Sequence, residues 1–279
     1  MNIKCWGSRG SICVSGDQYS RYGGDTTCIE ITAKSGETII IDAGTGIRRL
    51  GNSLIQRKID QYYLLFTHAH WDHIQGFVFF RPLLFSKVKI IIQDRKFLSF
   101  NTRQLFNKVM EMPFFPIGLG DLKADMKFDT RLNDKFNIGS VNIETIPTSH
   151  PGSGLGYKFI EDGKSFVFLT DNELGVDHPG GQGFEGYLNF VRNADLLLHD
   201  GEYTRAEYKQ KKNWGHSSIQ DVLELALKAN IKKLGLFHLN QDRTDDQMDK
   251  IICECQADLK KKNSTLECFA VPCNMEIHL

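Results

Sequence analysis

Residues 67–73 have the sequence THAHWDH, and four of these seven side chains can bind a metal ion. The stretch directly follows residues 62–66, an apolar run of the length of a β-strand. A helical zinc pair needs histidines four positions apart, so that both lie on one face. The two-residue spacing of His68 and His70 instead indicates an extended turn, in which both imidazoles face one cation.

Asp72 and His73 extend the same stretch at an angle suited to a second cation beside the first. Imidazole and carboxylate ligands favour zinc, manganese or iron over copper(I) or calcium. A polar surface loop is the simpler alternative, but three of the nine histidines of the chain fall within these six positions. The stretch therefore predicts a metal centre.

Further potential ligands stand at or just past the ends of other apolar, strand-like runs. They are Asp42, His150, Asp171, His199, Asp200 and His238. In sheets with helical crossovers, ligands bind beyond the carboxyl ends of the strands. We therefore expect these side chains to converge with residues 67–73 on one cleft.

The remainder of the chain combines strand-like runs with amphipathic helical patterns. Residues 28–33 alternate apolar and polar side chains, and residues 38–41 form a β-branched run typical of a strand buried on both faces. Apolar residues at helical spacing predict helices over 219–227 and 248–259. Further strands are predicted at 88–92, 141–146, 165–169, 194–198, 233–237 and 267–271. Such a mixture is typical of a layered α/β architecture.

Local sequence signals predict where the two helices begin. Ser217 with Gln220, and Thr244 with Gln247, have the spacing of a capping box.

Residues 93–137 have the weakest hydrophobic periodicity of the chain. We interpret them as a partly helical excursion from the main sheet and as a candidate cover for the site.

The composition of the 279 residues is that of an ordinary globular protein. Hydrophobic residues make up 41% and charged residues 24%, which excludes a disordered, collagen-like or coiled-coil chain. Thirty-four basic and 34 acidic side chains give a net charge of zero, which argues against a protein held mainly by phosphate neutralisation along long DNA or RNA. No apolar run reaches the ~18 residues of a membrane span, and the N-terminal residues do not have the pattern of a signal peptide. The seven cysteines lack CxxC spacing, which favours reduced cysteines over disulfides or a thiolate zinc site. We therefore expect a cytoplasmic protein without membrane contact.

The chain resembles the metallo-β-lactamase superfamily. Residues 68–73 match the HxHxDH signature of that superfamily, and His150, Asp171 and His238 follow in the expected order. The resemblance extends from the glycine-rich residues 7–11 to the strand near Glu267. It implies one domain over residues 1–279, although the length also allows two, and a four-layer αββα sandwich.

The resemblance also implies how two divalent transition-metal ions are held. Zinc is the first choice, with manganese and iron as alternatives. The first ion would be bound by His68, His70 and His150. The second ion would be bound by Asp72, His73 and His238. Asp171 would bridge both ions, and Asp42 would orient a ligand imidazole by hydrogen bonding.

Two later motifs, LHDGE at 198–202 and WGHSS at 214–218, resemble the tRNA 3′-processing endonuclease and cyclic phosphodiesterase branch. There an acidic residue after a histidine pairs with a second histidine, the general acid. The resemblance therefore implies that Asp200 supports His216, and we count Asp72 with these catalytic residues as well as with the ligands. A carboxylate favours the imidazolium form, which can donate a proton to a leaving alkoxide. The alternative is that His216 is only hydrogen-bonded just before a helix.

Three other residues have two interpretations. Arg9, in the sequence GSRGS at 7–11, either presents its charge to a phosphate or belongs to a turn. His178 lies in a glycine-rich loop and is predicted to be exposed rather than to be a ligand. His199 has either a structural role or a role in supporting a neighbouring site residue.

These observations predict a dinuclear metal-dependent phosphodiesterase that hydrolyses a small-molecule phosphodiester such as a cyclic nucleotide. Long nucleic acid is disfavoured because the chain is neutral and has no long basic arm, and a homodimer is compatible with the sequence. The alternative enzyme is a thioesterase or lactonase, which the pair of Asp200 and His216 disfavours, and the missing signal peptide disfavours a β-lactamase proper. A non-catalytic metabolite-binding sensor is a third possibility, against which the seven ligands argue, although a fold does not fix a function.

Overall fold

The computed structural model describes residues 1–279. Its sixteen strands, β1 to β16, are Asn2–Gly7, Cys28–Thr32, Thr38–Ile41, Gln61–Leu65, Lys89–Gln93, Lys96–Phe97, Phe100–Asn101, Asp125–Asp129, Lys135–Ile138, Val141–Thr148, Gly154–Glu161, Lys164–Leu169, Leu196–Asp200, Lys233–Phe237, Glu267–Ala270 and Glu276–His278. Its seven α-helices, α1 to α7, are Gly46–Gln56, Trp71–Ile74, Thr102–Val109, Gly183–Val191, Arg205–Lys211, Ile219–Lys228 and Asp245–Lys261. Short 3₁₀ helices lie at Asp17–Tyr19, Phe77–Phe79, Arg81–Leu84 and Leu119–Asp121.

The first large sheet has the strand order β16-β1-β2-β3-β4-β5-β8. The strands from β16 to β3 pair antiparallel, whereas β3, β4, β5 and β8 run parallel. Parallel neighbours need crossover connections, and α1 and α3 lie in two of them. Every residue of β3 is buried, because this sheet is covered on both faces.

The second large sheet has the order β15-β14-β13-β12-β11-β10-β9. Here β12, β13, β14 and β15 run parallel, and β9 to β12 pair antiparallel. Helices α4, α6 and α7 lie in the crossovers between the parallel strands. Each sheet therefore has a parallel half whose strand ends can hold polar side chains, and an antiparallel half that completes the layer.

Three apolar clusters hold the layers together. One fills the space between the sheets and contains Ile39 from the first sheet and Phe166 from the second. Another packs Leu50 of α1 and Phe106 of α3 against the outer face of the first sheet, and the third packs α4, α6 and α7 against the outer face of the second. Burial of each such side chain is worth roughly 1.5–3 kcal/mol. The layers follow the order αββα, which confirms the predicted fold class.

The start of α6 differs from the prediction by one residue. Ser218, not Ser217, is the N-cap, and its hydroxyl accepts a hydrogen bond from the backbone N–H three residues on. The Ser217 hydroxyl instead donates to the carbonyl of Asn172 at 2.6 Å and accepts from the N–H of Leu174 at 3.0 Å. Ser217 therefore connects the start of α6 to the loop after β12. The capping box at the start of α7 is present as predicted.

Residues 93–137 leave the first sheet over a shorter span than predicted. Strand β8 lies within this range and pairs parallel with β5 over five residues, so the excursion is the crossover 94–124. That crossover contains the β6–β7 hairpin and α3. As an edge strand, β8 alternates exposed and half-buried residues and so has little apolar signal. The assignment of residues 1–279 to a single domain remains a prediction.

Candidate metal centre

The predicted ligands lie where strands of both sheets end. Residues 67–73 follow β4 of the first sheet, whereas His150, Asp171 and His238 follow β10, β12 and β14 of the second. Asp171 and His238, together with Asp42 after β3, adopt left-handed backbone conformations with φ of 54°, 53° and 61°. Aspartate is among the residues that tolerate this conformation best, and histidine is also enriched in it. Non-glycine residues in strained conformations cluster at functional sites.

One group of side chains, the first set, consists of His68, His70 and His150. Their nitrogens and one oxygen of Asp171 all lie within 4.8 Å of one another. His150 Nε2 is 3.1 Å from His70 Nδ1, and His68 Nε2 is 3.5 Å from Asp171 Oδ2. The three imidazoles and the carboxylate therefore surround a common point, as the ligands of one cation do.

A second set consists of Asp72, His73 and His238, whose polar atoms form another such group. Asp72 Oδ2 is 3.0 Å from His238 Nε2 and 3.4 Å from His73 Nε2. Asp171 contacts this set as well, with Oδ1 3.4 Å from His73 Nε2 and Oδ2 3.5 Å from His238 Nε2. The Asp171 carboxylate thus lies between the two sets, where a bridging ligand would lie.

The donor atoms fit divalent metal ions. His68 Nε2 and His73 Nε2 are buried and have no hydrogen-bond partner, a state that is costly for a buried polar atom unless something else binds it. The other nitrogen of each ring is occupied: His73 Nδ1 is 2.8 Å from Asp42 Oδ2, and His68 Nδ1 is 3.1 Å from the Thr67 hydroxyl. One nitrogen facing the common point and the other held by the protein is the arrangement of metal-binding histidine.

Two further predicted ligands, His150 and His238, are also oriented by the protein, whereas His70 is exposed and the only hydrogen-bond partner of its ring is His150. His150 Nδ1 donates to the carbonyl of Gly215 at 2.9 Å, so its Nε2 is free of a proton in the neutral ring. His238 Nδ1 lies 3.0 Å from Glu202 Oε2. Glu202 is buried, and its other oxygen accepts a hydrogen bond from Asn240 at 3.1 Å. His150 is therefore oriented by a backbone carbonyl and His238 by a carboxylate, while the Thr67 hydroxyl contacts both His68 and His73.

The two sets also differ in the pKa of their histidines. Burial lowers the pKa of His150 to about 4 and also lowers the pKa of His68 and His70. These imidazoles are neutral at pH 7 and can bind a cation directly.

In the second set, burial disfavours a charged imidazole, but neighbouring carboxylates outweigh it. Asp72 and Asp171 raise the pKa of both His73 and His238. Burial likewise opposes the charge of Asp171, yet His238 and His73 hold its pKa well below the usual range. In the metal-free protein these histidines carry the positive charge that a cation would supply.

His216 lies next to the second set, and its ring stacks on that of His238 with centroids 4.7 Å apart. Its Nδ1 is buried without a hydrogen-bond partner, 3.5 Å from Asp200 Oδ2. Its Nε2 is 3.5 Å from Glu202 Oε2. Burial lowers the pKa of His216, but Glu202 and Asp200 outweigh this effect, so the net shift is upward. The pair predicted from the motifs is thus brought together at ion-pair distance, with a second carboxylate opposite.

Asp200 is a fully buried carboxylate with several partners. It accepts hydrogen bonds from the backbone N–H groups of Asn172 at 3.0 Å and Ser217 at 2.9 Å. His199 Nδ1 lies 3.2 Å from Asp200 Oδ1 and 2.8 Å from its carbonyl oxygen. His199 is therefore a supporting neighbour of Asp200 and lies outside both metal-binding sets.

Sequence reasoning missed two carboxylates, Glu202 and Glu173. Glu173 is buried and accepts hydrogen bonds from His178 Nε2 at 2.8 Å, from the Tyr208 hydroxyl at 2.7 Å, and from two N–H groups of the loop before His216. One of these donors is Gly215 N, and the carbonyl of Gly215 holds His150. Two sequence signals could have identified these carboxylates: Glu202 lies inside the LHDGE motif, and Glu173 follows Asp171 by two residues.

Arg9 and His178 have structural contacts. The Arg9 side chain is buried, and its guanidinium donates to the carbonyls of Gly23, Asn240 and Arg243, so it does not present its charge to a phosphate. Within the same stretch 7–11, the residue that contacts a predicted ligand is Ser11, whose backbone N–H donates to Asp72 Oδ2 at 2.8 Å. His178 is half-buried rather than exposed, because its ring is held by Glu173.

The αββα fold places histidine and carboxylate side chains that could hold divalent metal ions at its strand ends, and comparison with known proteins identifies a metal-dependent hydrolase. A model of the family described as "Beta-lactamase superfamily domain" matches residues 37–239, and the chain belongs to that family. Ribonuclease Z of Sulfurisphaera tokodaii is 25% identical over 262 residues, covering 78% of this chain and 83% of the relative. Exodeoxyribonuclease WalJ of Streptococcus pneumoniae is 26% identical over 247 residues, covering 85% of this chain and 83% of the relative. The crystal structure of human tRNase Z, short form, superposes with a TM-score of 0.63 at 16% identity, covering 100% of this chain and 99% of that one.

The prediction of a small-molecule substrate in preference to long nucleic acid is wrong. The two curated relatives are nucleases by name, one a ribonuclease and one an exodeoxyribonuclease. Net charge misled because it is a sum over the whole surface, whereas binding depends on the local field at the cleft. The sequence motifs were the better guide, since they pointed to the branch that includes a tRNA-processing endonuclease.

No helix of the structure combines the length and the apolar character that crossing a membrane requires.

Proposed function

We propose that this chain is a phosphodiesterase that cleaves nucleic acid with the help of two divalent metal ions. The observation that carries the proposal is the position of Asp171, whose carboxylate contacts both the first set and the second set of histidines. The similarity to ribonuclease Z and to an exodeoxyribonuclease supports a phosphodiester of RNA or DNA as the bond that is cleaved.

His68, His70, His150 and Asp171 would hold one cation. Asp72, His73, His238 and Asp171 would hold the other. Such ions, zinc first with manganese or iron as alternatives, would supply Lewis acidity toward the phosphoryl oxygens and a nucleophile at neutral pH. Asp72 belongs to this catalytic group through its place among the ligands, and the Ser11 N–H fixes its orientation.

His216 would supply the proton that the leaving oxygen needs. Its Nδ1 faces the buried side toward Asp200, so Nε2 is the nitrogen from which a proton can be donated. The carboxylates of Asp200 and Glu202 both favour the imidazolium form. Two backbone N–H groups fix the Asp200 carboxylate, so its negative charge lies beside the His216 ring.

A substrate comparison tests the reaction class. The metal-loaded protein is expected to cleave RNA or DNA oligonucleotides and bis(p-nitrophenyl) phosphate, and chelator is expected to abolish both activities. Phosphomonoesters should be poor substrates, because they carry an additional negative charge and do not offer the expected alkoxide leaving group. A clear preference for a thioester or a lactone would instead assign the chain to acyl chemistry.

A leaving-group comparison tests the general acid. His216→Ala should lower kcat by about 10²–10⁴-fold on an oligonucleotide, whose alkoxide needs a proton, which is the usual scale of acid–base catalysis. The loss should be much smaller on bis(p-nitrophenyl) phosphate, because p-nitrophenolate leaves without a proton. Metal content should be unchanged, and His278→Ala serves as a matched control at an exposed position. An equal loss on both substrates would contradict proton donation, and loss of metal would make His216 a ligand.

A further inference from the structure

A mainly apolar pocket adjoins the first set of histidines and has no part in the mechanism above. Its volume is about 240 Å³, and the β6–β7 hairpin forms one side of it. Its lining includes Phe97, Leu98, Phe100 and Pro151 together with His68 and His70. The pocket therefore opens directly onto the place where the first cation would be held.

The hairpin is fixed to the metal-binding loop by Arg95. The Arg95 guanidinium donates to the carbonyl of Phe66 at 3.2 Å and to that of Thr67, which immediately precedes His68. It also lies 4.8 Å from the centre of the Phe97 ring. These contacts join the hairpin to the loop that carries His68, and the pocket lies between the two.

The tip of the hairpin presents apolar side chains to solvent. Leu98 is 71% exposed and Phe100 is 46% exposed. Leu98 also adopts a left-handed conformation with φ of 47°, which is unusual for a residue of this type. The left-handed conformation is that of the two-residue turn 98–99 between the paired residues Phe97 and Phe100. The exposure of the two apolar side chains is not explained by packing within the chain and points to a ligand that covers the tip.

We infer that this pocket binds one unpaired nucleobase of the nucleic acid substrate, a subsite that rests on the function proposed above. A phosphate held at the two cations places its own nucleoside within reach of a pocket whose wall includes His68 and His70. No lysine or arginine lines the pocket, which disfavours a phosphate as its occupant. Its volume is below the roughly 300–1,000 Å³ of pockets for drug-sized ligands, as suits one planar ring. Aromatic side chains stack on bases of any sequence, but only where the base is not already stacked in a duplex.

The position of the pocket assigns the base to one side of the cleaved bond. A separate polar pocket of about 310 Å³ is lined by His216, Glu202 and Trp214, and the two pockets share no lining residue. Since His216 is proposed to protonate the leaving oxygen, the leaving nucleoside belongs to the polar pocket. The apolar pocket therefore takes the base of the nucleoside that retains the phosphate, and the substrate is single-stranded at this point.

Dinucleoside monophosphates that lack one base test this assignment. With the metal-loaded protein, removing the base from the nucleoside that retains the phosphate should lower kcat/KM by about 5- to 150-fold, the range expected for one stacked base. Removing the other base should have a smaller effect. Phe100→Ala should cause a similar loss on the intact substrate and almost none on the substrate that already lacks the base. Leu98→Asn, which suits the left-handed backbone, should act in the same direction.

The control is Phe79→Ala, which removes an exposed phenylalanine that does not line the pocket and should leave all substrates unaffected. Equal losses for Phe100→Ala on intact and base-free substrates would overturn the subsite. Failure of the wild-type protein to cleave any dinucleotide or oligonucleotide would overturn the proposed function instead. In that case, quenching of 2-aminopurine fluorescence in a bound dinucleotide still decides on the pocket: quenching lost in Phe100→Ala supports it, and quenching unchanged in that variant refutes it.

Discussion

The two sets of metal-binding side chains are held by the protein in different ways. In the first set, His150 donates to the carbonyl of Gly215 and His68 contacts the Thr67 hydroxyl. In the second set, His73 and His238 contact the carboxylates of Asp42 and Glu202. Burial lowers the pKa of the first-set histidines His68 and His150, whereas carboxylates make the imidazoles of the second set more basic.

The difference indicates that the two cations would bind with different dependence on protons. Burial lowers the pKa of the first-set histidines, while Asp72 and Asp171 raise the pKa of His73 and His238. A cation that enters the second set must displace protons, and one that enters the first set need not. Asp171 contacts both sets and is proposed to couple them, and three experiments test the difference between the sets.

The largest effect is expected from Asp171→Ala, because this carboxylate contacts both sets. Both cations should bind more weakly, and turnover should fall by about 10³-fold or more, the value of several kcal/mol of metal-ion catalysis. Metal analysis and oligonucleotide cleavage measure the two quantities. Asp177→Ala, at an exposed position in the loop that follows, is the matched control. Two bound metals and full turnover in Asp171→Ala would remove the basis for a shared ligand.

A smaller and more selective effect is expected from the orienting carboxylate Glu202. Glu202→Gln should weaken the second cation by about 10- to 100-fold and leave the first cation nearly unchanged. Asp42 does not offer this test, because it also holds the Thr67 hydroxyl that contacts His68 of the first set. Titration of the metal-free protein with zinc should therefore show one unaltered and one weakened site. Glu224→Gln, on the exposed side of α6, controls for the loss of one surface charge. Equal weakening of both sites would mean that the two sets do not act separately.

The smallest effect is expected from pH. The raised pKa of His73 and His238 keeps these residues protonated over a pH range in which His150, with a pKa of about 4, is neutral. For each proton that the cation must displace, lowering the pH by one unit weakens cation binding about tenfold. Dialysis from pH 8 to pH 5 should therefore remove the second cation first, as followed by metal content. Earlier loss of the first cation would reverse the assignment of the two sets.

Local sequence was a good guide to the ligands because of how they are distributed. Four of them lie within residues 67–73, and the others each follow a strand that is apolar enough to identify by composition. Since parallel strands end at the same edge of a sheet, their neighbours converge without any further information. The structure brings together all seven predicted ligands, and their roles as ligands remain predictions.

The partners of those ligands depend on the tertiary structure. Glu202 reaches His238 across 36 residues, and Glu173 reaches Gly215 across 42. The pocket beside His68 lies between the loop that carries this residue and the β6–β7 hairpin, which Arg95 joins to that loop through hydrogen bonds to the carbonyls of Phe66 and Thr67. Strand patterning and histidine spacing are local properties, so the sequence alone predicted a layered α/β architecture and a metal centre, and the resemblance to the superfamily added the four-layer order. The packing of the two sheets decided which carboxylate orients which imidazole and where the pocket proposed for a base lies, because these contacts join segments that are remote along the chain.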